Sequence, residues 1–101
     1  MKFRLTRLAI RDLAEIGRHT QETWGEKQAQ RYRAGMTARL KWLCRNPSLW
    51  RERPDIREGV YTHPEQHHVI VFRECEGGVE ILRILHERMD IVSRLKGDDP
   101  S

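Results

Sequence analysis

A chain of 101 residues has the size of one domain with one hydrophobic core, so a single site or surface must carry the function. Apolar residues make up 38% and charged residues 34%, too hydrophobic for a disordered chain, and no apolar stretch approaches the length needed to span a bilayer. The formal charge is +4, and apart from Lys2, Lys27, Lys41 and Lys96 every cation is an arginine, whose planar guanidinium pairs bidentately with carboxylates and phosphates; an acidic protein segment or a nucleic acid is the favoured partner class.

Lys2 to Leu5 alternates polar and apolar residues and reads as a short strand. Thr6 then offers a hydroxyl cap to a helix in which Ala9, Leu13, Ile16, Thr20 and Trp24 recur every three or four positions as one apolar stripe. Gly25 ends it as a left-handed cap. Glu26 opens a second helix after almost no linker, with Ala29, Tyr32, Met36, Leu40 and Leu43 at helical spacing, and Asn46-Pro47 stops it. Two amphipathic helices joined so tightly must fold back as an antiparallel hairpin and cover a common surface.

Ser48 to Gly59, with Trp50, Pro54 and a run of charged side chains, reads as a surface loop. Three strand-like stretches follow, Val60 to Thr62, His67 to Glu74 and Val79 to His86, separated by His63-Pro64-Glu65 and Glu76-Gly77-Gly78 as hairpin turns. Ile81, Leu82, Ile84 and Leu85 put apolar groups on both faces of the last stretch, which places it centrally in the sheet. Met89 to Lys96 reads as a short final turn or helix. The predicted fold is α+β: a helical hairpin packed on a small, mainly antiparallel four-stranded sheet in the order β-α-α-β-β-β, a single domain over residues 1–96 with a flexible tail at 97–101. Cys44 and Cys75, outside any CxxC spacing, read as small buried hydrophobes of a reducing compartment, and without a secretory signal the expected location is the cytoplasm.

The stretch Leu8-Ala9-Ile10-Arg11-Asp12-Leu13-Ala14-Glu15-Ile16 followed by Trp24-Gly25, together with the closing stretch from Val79 through Arg83 and His86 to Asp90, resembles the ParE branch of the ParE/RelE toxin family, whose fold has the same order of elements. The resemblance covers residues 2 to 95. It implies the toxin half of a type II toxin-antitoxin pair, held in a hetero-oligomer by a ParD-like antitoxin whose flexible C-terminal segment folds as it wraps the toxin. Within the family, RelE-like members cut messenger RNA on the ribosome and ParE-like members poison DNA gyrase.

Cleaving RNA through its 2'-hydroxyl needs a proton acceptor, a proton donor and cations around the developing charge. Arg83 stands where RelE-like ribonucleases carry a last-strand arginine, and His86 lies close to the position of their acid or base. The loop and middle strands lack the lysines such nucleases use, however, and no tyrosine follows His86. In a regular strand Arg83 and His86 would fall on opposite faces, Arg83 paired with an acid such as Glu74, Glu80 or Glu87 and His86 hydrogen-bonded at the strand end. His63, His67 and His68 match no standard metal site. The resemblance therefore implies a binder of DNA gyrase with its DNA, with no catalytic residues, cofactor or metal; the alternatives are a RelE-type endoribonuclease using Arg83 and His86, and a non-toxic member that only binds its antitoxin.

For binding, the second helix carries Lys27, Arg31, Arg33, Arg39, Lys41 and Arg45 against the single acid Glu26. Trp42 falls off the stripe of that helix and Trp50 lies in the loop beyond, so one of the two is expected to be exposed. With Arg31, Arg39, Arg45, Arg51 and Arg53 they are the candidate partner contacts, since aromatic and arginine side chains dominate interface energetics. An apolar groove along the helical hairpin, empty until the antitoxin fills it, is expected as well, with Ile10 and Gly17 as lining candidates.

Overall fold

The computed structural model describes residues 2–97. Strand β1 (Lys2–Leu5) passes through Thr6 into helix α1 (Arg7–Trp24). Thr6 Oγ1 accepts from Ala9 N at 3.1 Å and donates to Leu82 O at 2.8 Å, so the cap also pins the helix start to the sheet. Gly25 then serves both as the C-cap of α1 and the N-cap of α2 (Glu26–Arg45). Its φ of 93° has the sign expected of a glycine cap, but its ψ of 170° is extended rather than left-handed helical, which reverses the chain within one residue.

A short 3-10 turn (Pro47–Leu49) leads to β2 (Arg51–Glu52), followed by β3 (Val60–Glu65), β4 (His68–Cys75), β5 (Gly78–His86) and α3 (Ile91–Gly97). The strands form one sheet in the order β1-β5-β4-β3-β2, with β1 parallel to β5 and the other pairs antiparallel. The α+β architecture and the central place of β5 match the sequence expectation; the strand count does not. Arg51 and Glu52 pair with Thr62 and Tyr61 as a fifth strand, inside the stretch read as loop. Two charged residues beside Pro54 carry no period-two apolar signal from which that strand could be read.

The first hairpin turn also shifts. Pairing continues through Pro64↔Val69 and Glu65↔His68, so the turn is Gln66-His67, with Gln66 at φ 56°, rather than His63-Pro64-Glu65. Pro64 is tolerated there because β2 ends opposite Thr62, leaving its missing N–H at an open edge. At the second turn Gly78 is dictated by close approach: a Cβ on it would stand 1.7 Å from Lys2 O, in the path of β1.

Both sheet faces are covered. Under the hairpin, Ala9, Tyr32, Met36, Leu40 and Leu43 pack on Ile70, Phe72, Val79, Ile81 and Ile84. On the opposite face Val60, Val71 and Leu82 are closed over by Leu95 and Ile91 of α3 and by Ile56. The stripe read on α1 holds except at its end: Trp24 is 73% exposed, one turn beyond the reach of the sheet. Cys44 is buried and Cys75 partly so, and both are free thiols. Of the expected tail, residues 98–101 lie outside the described residues, and Gly97 closes α3. Among the described residues no helix is long and apolar enough to cross a membrane.

Candidate functional site: a groove along the first helix

The site begins with an irregularity in β5. Val71 pairs with Arg83 and Phe72 with Ile81, so Leu82 is an extra residue in the strand, a β-bulge. The bulge resets the alternation: Ile81 and Ile84 both join the core under the helices, Leu82 turns to the opposite face, and His86 comes to rest against His68, ring centroids 5.4 Å apart. Beyond Leu5 the chain leaves the sheet, so β5 past Ile81 has an open edge. Asp12 of α1 fills it. One carboxylate oxygen accepts from Ile84 N at 2.9 Å and from Arg83 Nε at 2.8 Å, and the other accepts from Arg83 Nη2 at 2.9 Å.

Past the bulge β5 runs in regular register, with Arg83 opposite Val71 and His86 opposite His68, so the two side chains leave opposite faces as a regular strand requires. Both line one depression of about 360 Å³, with Leu8, Asp12, Ile16, Met89 and Arg94. The guanidinium is nonetheless engaged by Asp12, not by Glu74, Glu80 or Glu87. Glu80 instead takes Arg4 and Arg73, at 3.1 and 2.7 Å, and Glu87 lies 3.3 Å from His67. His86 does close the strand end, its Nδ1 accepting from Arg88 N at 3.1 Å.

The depression shares Glu15, Ile16, His68 and His86 with a larger cleft of about 690 Å³ between α1, α2 and the Gln66-His67 turn, walled further by His19, Thr20, Trp24, Gln28 and Tyr32. Together they form one groove. Leu8, Asp12, Ile16, Thr20 and Trp24 mark its wall on α1 at helical spacing, a run of about 24 Å at 1.5 Å per residue. On its floor Tyr32 Oη lies 2.6 Å from His68 Nδ1. Burial, helped by Glu65, pushes the Tyr32 phenol up to about 12. Burial, helped by His86 and His67, holds His68 below the usual imidazole value. With the phenol protonated and the ring neutral, Tyr32 donates to Nδ1 and His68 keeps its proton on Nε2.

That arrangement has a pH sign. The unfolded chain binds a proton at His68 near pH 6.5, whereas the folded chain resists protonation until lower pH, so stability is full above about 6.5 and falls as the pH drops below it. Urea midpoints measured from pH 8 to 5 are expected to fall on the acid side, and His68→Phe to flatten that fall while lowering the plateau; an unchanged slope in this variant would remove His68 as the source. His63, lowered by burial and by Arg39, contributes with the same sign and remains in the variant.

The other sequence candidates are scattered. Trp42 packs partly on the core, under the Arg39 guanidinium at 4.9 Å from its ring centre and 5.3 Å from the His63 ring. Arg39 Nε also lies 3.5 Å from Glu65, an ion pair without hydrogen-bond geometry. Trp50 donates to Leu43 O at 2.7 Å and packs against Tyr61 and Phe72, a lid on the core. Neither tryptophan is exposed as one was expected to be; the exposed one is Trp24. Gly17 is buried, with Arg33 of α2 only 3.2 Å from where its Cβ would be, and Ile10 is 54% exposed; neither lines the groove. Arg31, Arg45 and Arg51 are exposed, and Arg53 is held bidentately by Asp55 at 2.9 and 2.8 Å. The three turn histidines diverge, and among the described residues no group of three or more His, Cys, Asp or Glu side chains is arranged to hold a metal ion.

The family of ParE toxins of type II toxin-antitoxin systems, parDE, matches residues 3–91. The chain belongs to the ParE toxin family. Among its relatives, Toxin ParE1 of Caulobacter vibrioides is 29% identical over 93 residues, covering 92% of this chain and 96% of that protein. Toxin ParE1 of Mycobacterium tuberculosis is 30% identical over 91 residues, with 89% and 93% covered, and Toxin ParE of Escherichia coli is 29% identical over 92 residues, with 90% and 89% covered. A solved structure described as a chromosomal ParDE TA system from P. aeruginosa superposes with a TM-score of 0.73 at 26% identity, covering 85% of this chain and 95% of that one. For a ParE toxin, the residues missed from sequence are Asp12, Tyr32, His68 and Met89. Only Asp12 left a usable trace, an acid standing three residues from Ala9 and four from Ile16 on the core stripe.

Proposed function

We propose that this ParE toxin acts in the cytoplasm by binding DNA gyrase on its DNA and blocking it without catalysis, and that a ParD-like antitoxin silences it by laying a segment along the α1 groove in a toxin-antitoxin hetero-oligomer. The observation that carries the non-catalytic reading is the commitment of Arg83 to Asp12. A carboxylate held against the strand's arginine opposes the negative charge that builds up in phosphodiester cleavage, so the cation is a structural tie rather than a stabiliser of that charge. The groove, with Ile16, Trp24 and Met89 along its length, supplies the apolar contact that an antitoxin segment folding on binding requires.

The test is purified gyrase with added toxin, read for supercoiling and for trapped DNA breaks, beside a translation reaction read for cut messenger RNA. Lost supercoiling with trapped breaks and intact message is the expected result. Cut message with normal supercoiling would overturn the reading. In that event His86→Ala should lower the cleavage rate by orders of magnitude, whereas under the proposed function it leaves gyrase inhibition within about threefold of the wild type.

A further inference from the structure

The outer face of α2 carries a second surface, separate from the groove. At 3.6 residues per turn, Lys27, Arg31, Ala34, Ala38, Lys41 and Arg45 fall within about 80° of one another around the helix axis. The arc is diametrically opposite the buried stripe of Tyr32, Met36 and Leu43, so all six residues are exposed. Among the described residues Lys27, Arg31, Lys41 and Arg45 take part in no ion pair, although acids elsewhere pair with Arg4, Arg33, Arg39, Arg53, Arg73 and Arg83. The cations form two pairs, each one turn apart, whose midpoints lie about 20 Å apart along the helix at 1.5 Å per residue. Between them Ala34 and Ala38 floor a shallow open trough of about 490 Å³ with no acid in its lining.

We propose that this face binds the phosphate backbone of duplex DNA. Two cation pairs separated by a low saddle suit a stiff polyanion lying across the helix. From about 20 Å apart, long side chains reach inward to the phosphates on either wall of a B-form major groove, about 12 Å across, whereas the narrow major groove of A-form RNA leaves one pair without a phosphate. An acidic peptide is the poorer fit, because methyl groups of two alanines offer no pocket for an apolar anchor, and peptide interfaces draw most of their affinity from such anchors. The recognition is of backbone: the cations stand at the two ends of the arc, and between them lie only the methyl groups of Ala34 and Ala38, with no donor or acceptor aimed at base edges.

The experiment is anisotropy of a labelled random-sequence DNA duplex titrated with the full chain at several salt concentrations. The wild type is expected to bind in the micromolar range with a steep salt dependence. Replacing Lys27, Arg31, Lys41 and Arg45 together by alanine removes only exposed side chains. It should weaken binding at least tenfold and reduce the slope of log K against log salt by about 3.6, the loss for four phosphate contacts. A control of equal charge loss, with Arg7, Arg18, Arg57 and Arg88 replaced by alanine, should bind within about threefold of the wild type. Equal weakening in the two variants would overturn the proposal, reducing the effect to net charge. So would a wild type that fails to bind DNA, or that binds duplex RNA or polyglutamate more tightly than DNA.

Discussion

Asp12→Ala is expected to destabilise the fold by about 3 kcal/mol, the low end of the range for removing one partner of a buried ion pair, since this pair is part-buried. Arg83 and Asp12 are only 12% and 11% exposed, so water offers little compensation for the lost contact. The deletion also strips Ile84 N of its acceptor at the one stretch of β5 where no neighbouring strand supplies another. Asp12→Asn keeps an oxygen for Ile84 N and loses the charge, so its loss should be smaller. Asp12→Leu combined with Arg83→Met should recover only part of the stability, because an apolar pair of similar volume avoids desolvating two ions but still leaves Ile84 N without an acceptor. Urea unfolding of the four proteins measures this, and Arg83→Ala together with the Asp12→Ala/Arg83→Ala double variant closes the double-mutant cycle that gives the non-additive part. A loss under 1 kcal/mol for Asp12→Ala would mean that the pair is screened as at an open surface. The consequence for function is direct: any activity lost on replacing Arg83 has to be compared at equal folded fraction, since the substitution attacks the sheet before it attacks a reaction.

What the sequence made legible follows from how strongly each segment repeats. The two helices show their stripes over four or five turns, and β5 shows apolar residues on both faces, so the layer arrangement and the central strand are readable without coordinates. The edge strand β2 and the Gln66-His67 turn are not, because pairing there is decided by what lies opposite. Pro64 looks like a turn residue and is carried inside β3 only because β2 has already ended. The end of the α1 stripe fails for a related reason: periodicity places Trp24 on the core face, but the sheet does not extend under that last turn.

The site was legible in its ingredients and not in its assembly. Arg83 and His86 stood out as chemistry-bearing residues, and period two relates them to each other; what no local signal marks is the bulge at Leu82 that sets which face each takes, since a one-residue insertion leaves an apolar run unchanged in composition. The partner of Arg83 lies 71 residues away on another element. For the same reason the expectation that Trp42 or Trp50 is exposed fails. Their indoles are absorbed by His63, Tyr61 and Phe72, neighbours that only the folded sheet brings near.

Trp24→Ala is expected to weaken binding of the ParD-like antitoxin by about 2–4 kcal/mol, roughly 30- to 1000-fold in Kd, while leaving the stability of the free toxin within about 0.5 kcal/mol. The indole stands at the rim of the cleft, 73% exposed, so its truncation removes little from the fold and much from whatever covers it. Trp50→Ala supplies the contrast: it empties part of the core and removes the shorter of the two hydrogen bonds to Leu43 O, leaving the one from Asn46 N at 3.3 Å, so it should lower stability and spare antitoxin affinity at equal folded fraction. Ile10→Ala, on a comparably exposed apolar residue outside the groove, should change neither by more than about 0.5 kcal/mol. Calorimetric titration of the antitoxin into each variant, beside urea unfolding of each, separates the three. Normal affinity in Trp24→Ala with reduced affinity in Ile10→Ala would move the antitoxin seat from the groove to the outer side of the hairpin. The expected order, with Trp24 alone carrying affinity without stability, would tie neutralisation to the one large aromatic side chain that the fold leaves exposed among the described residues.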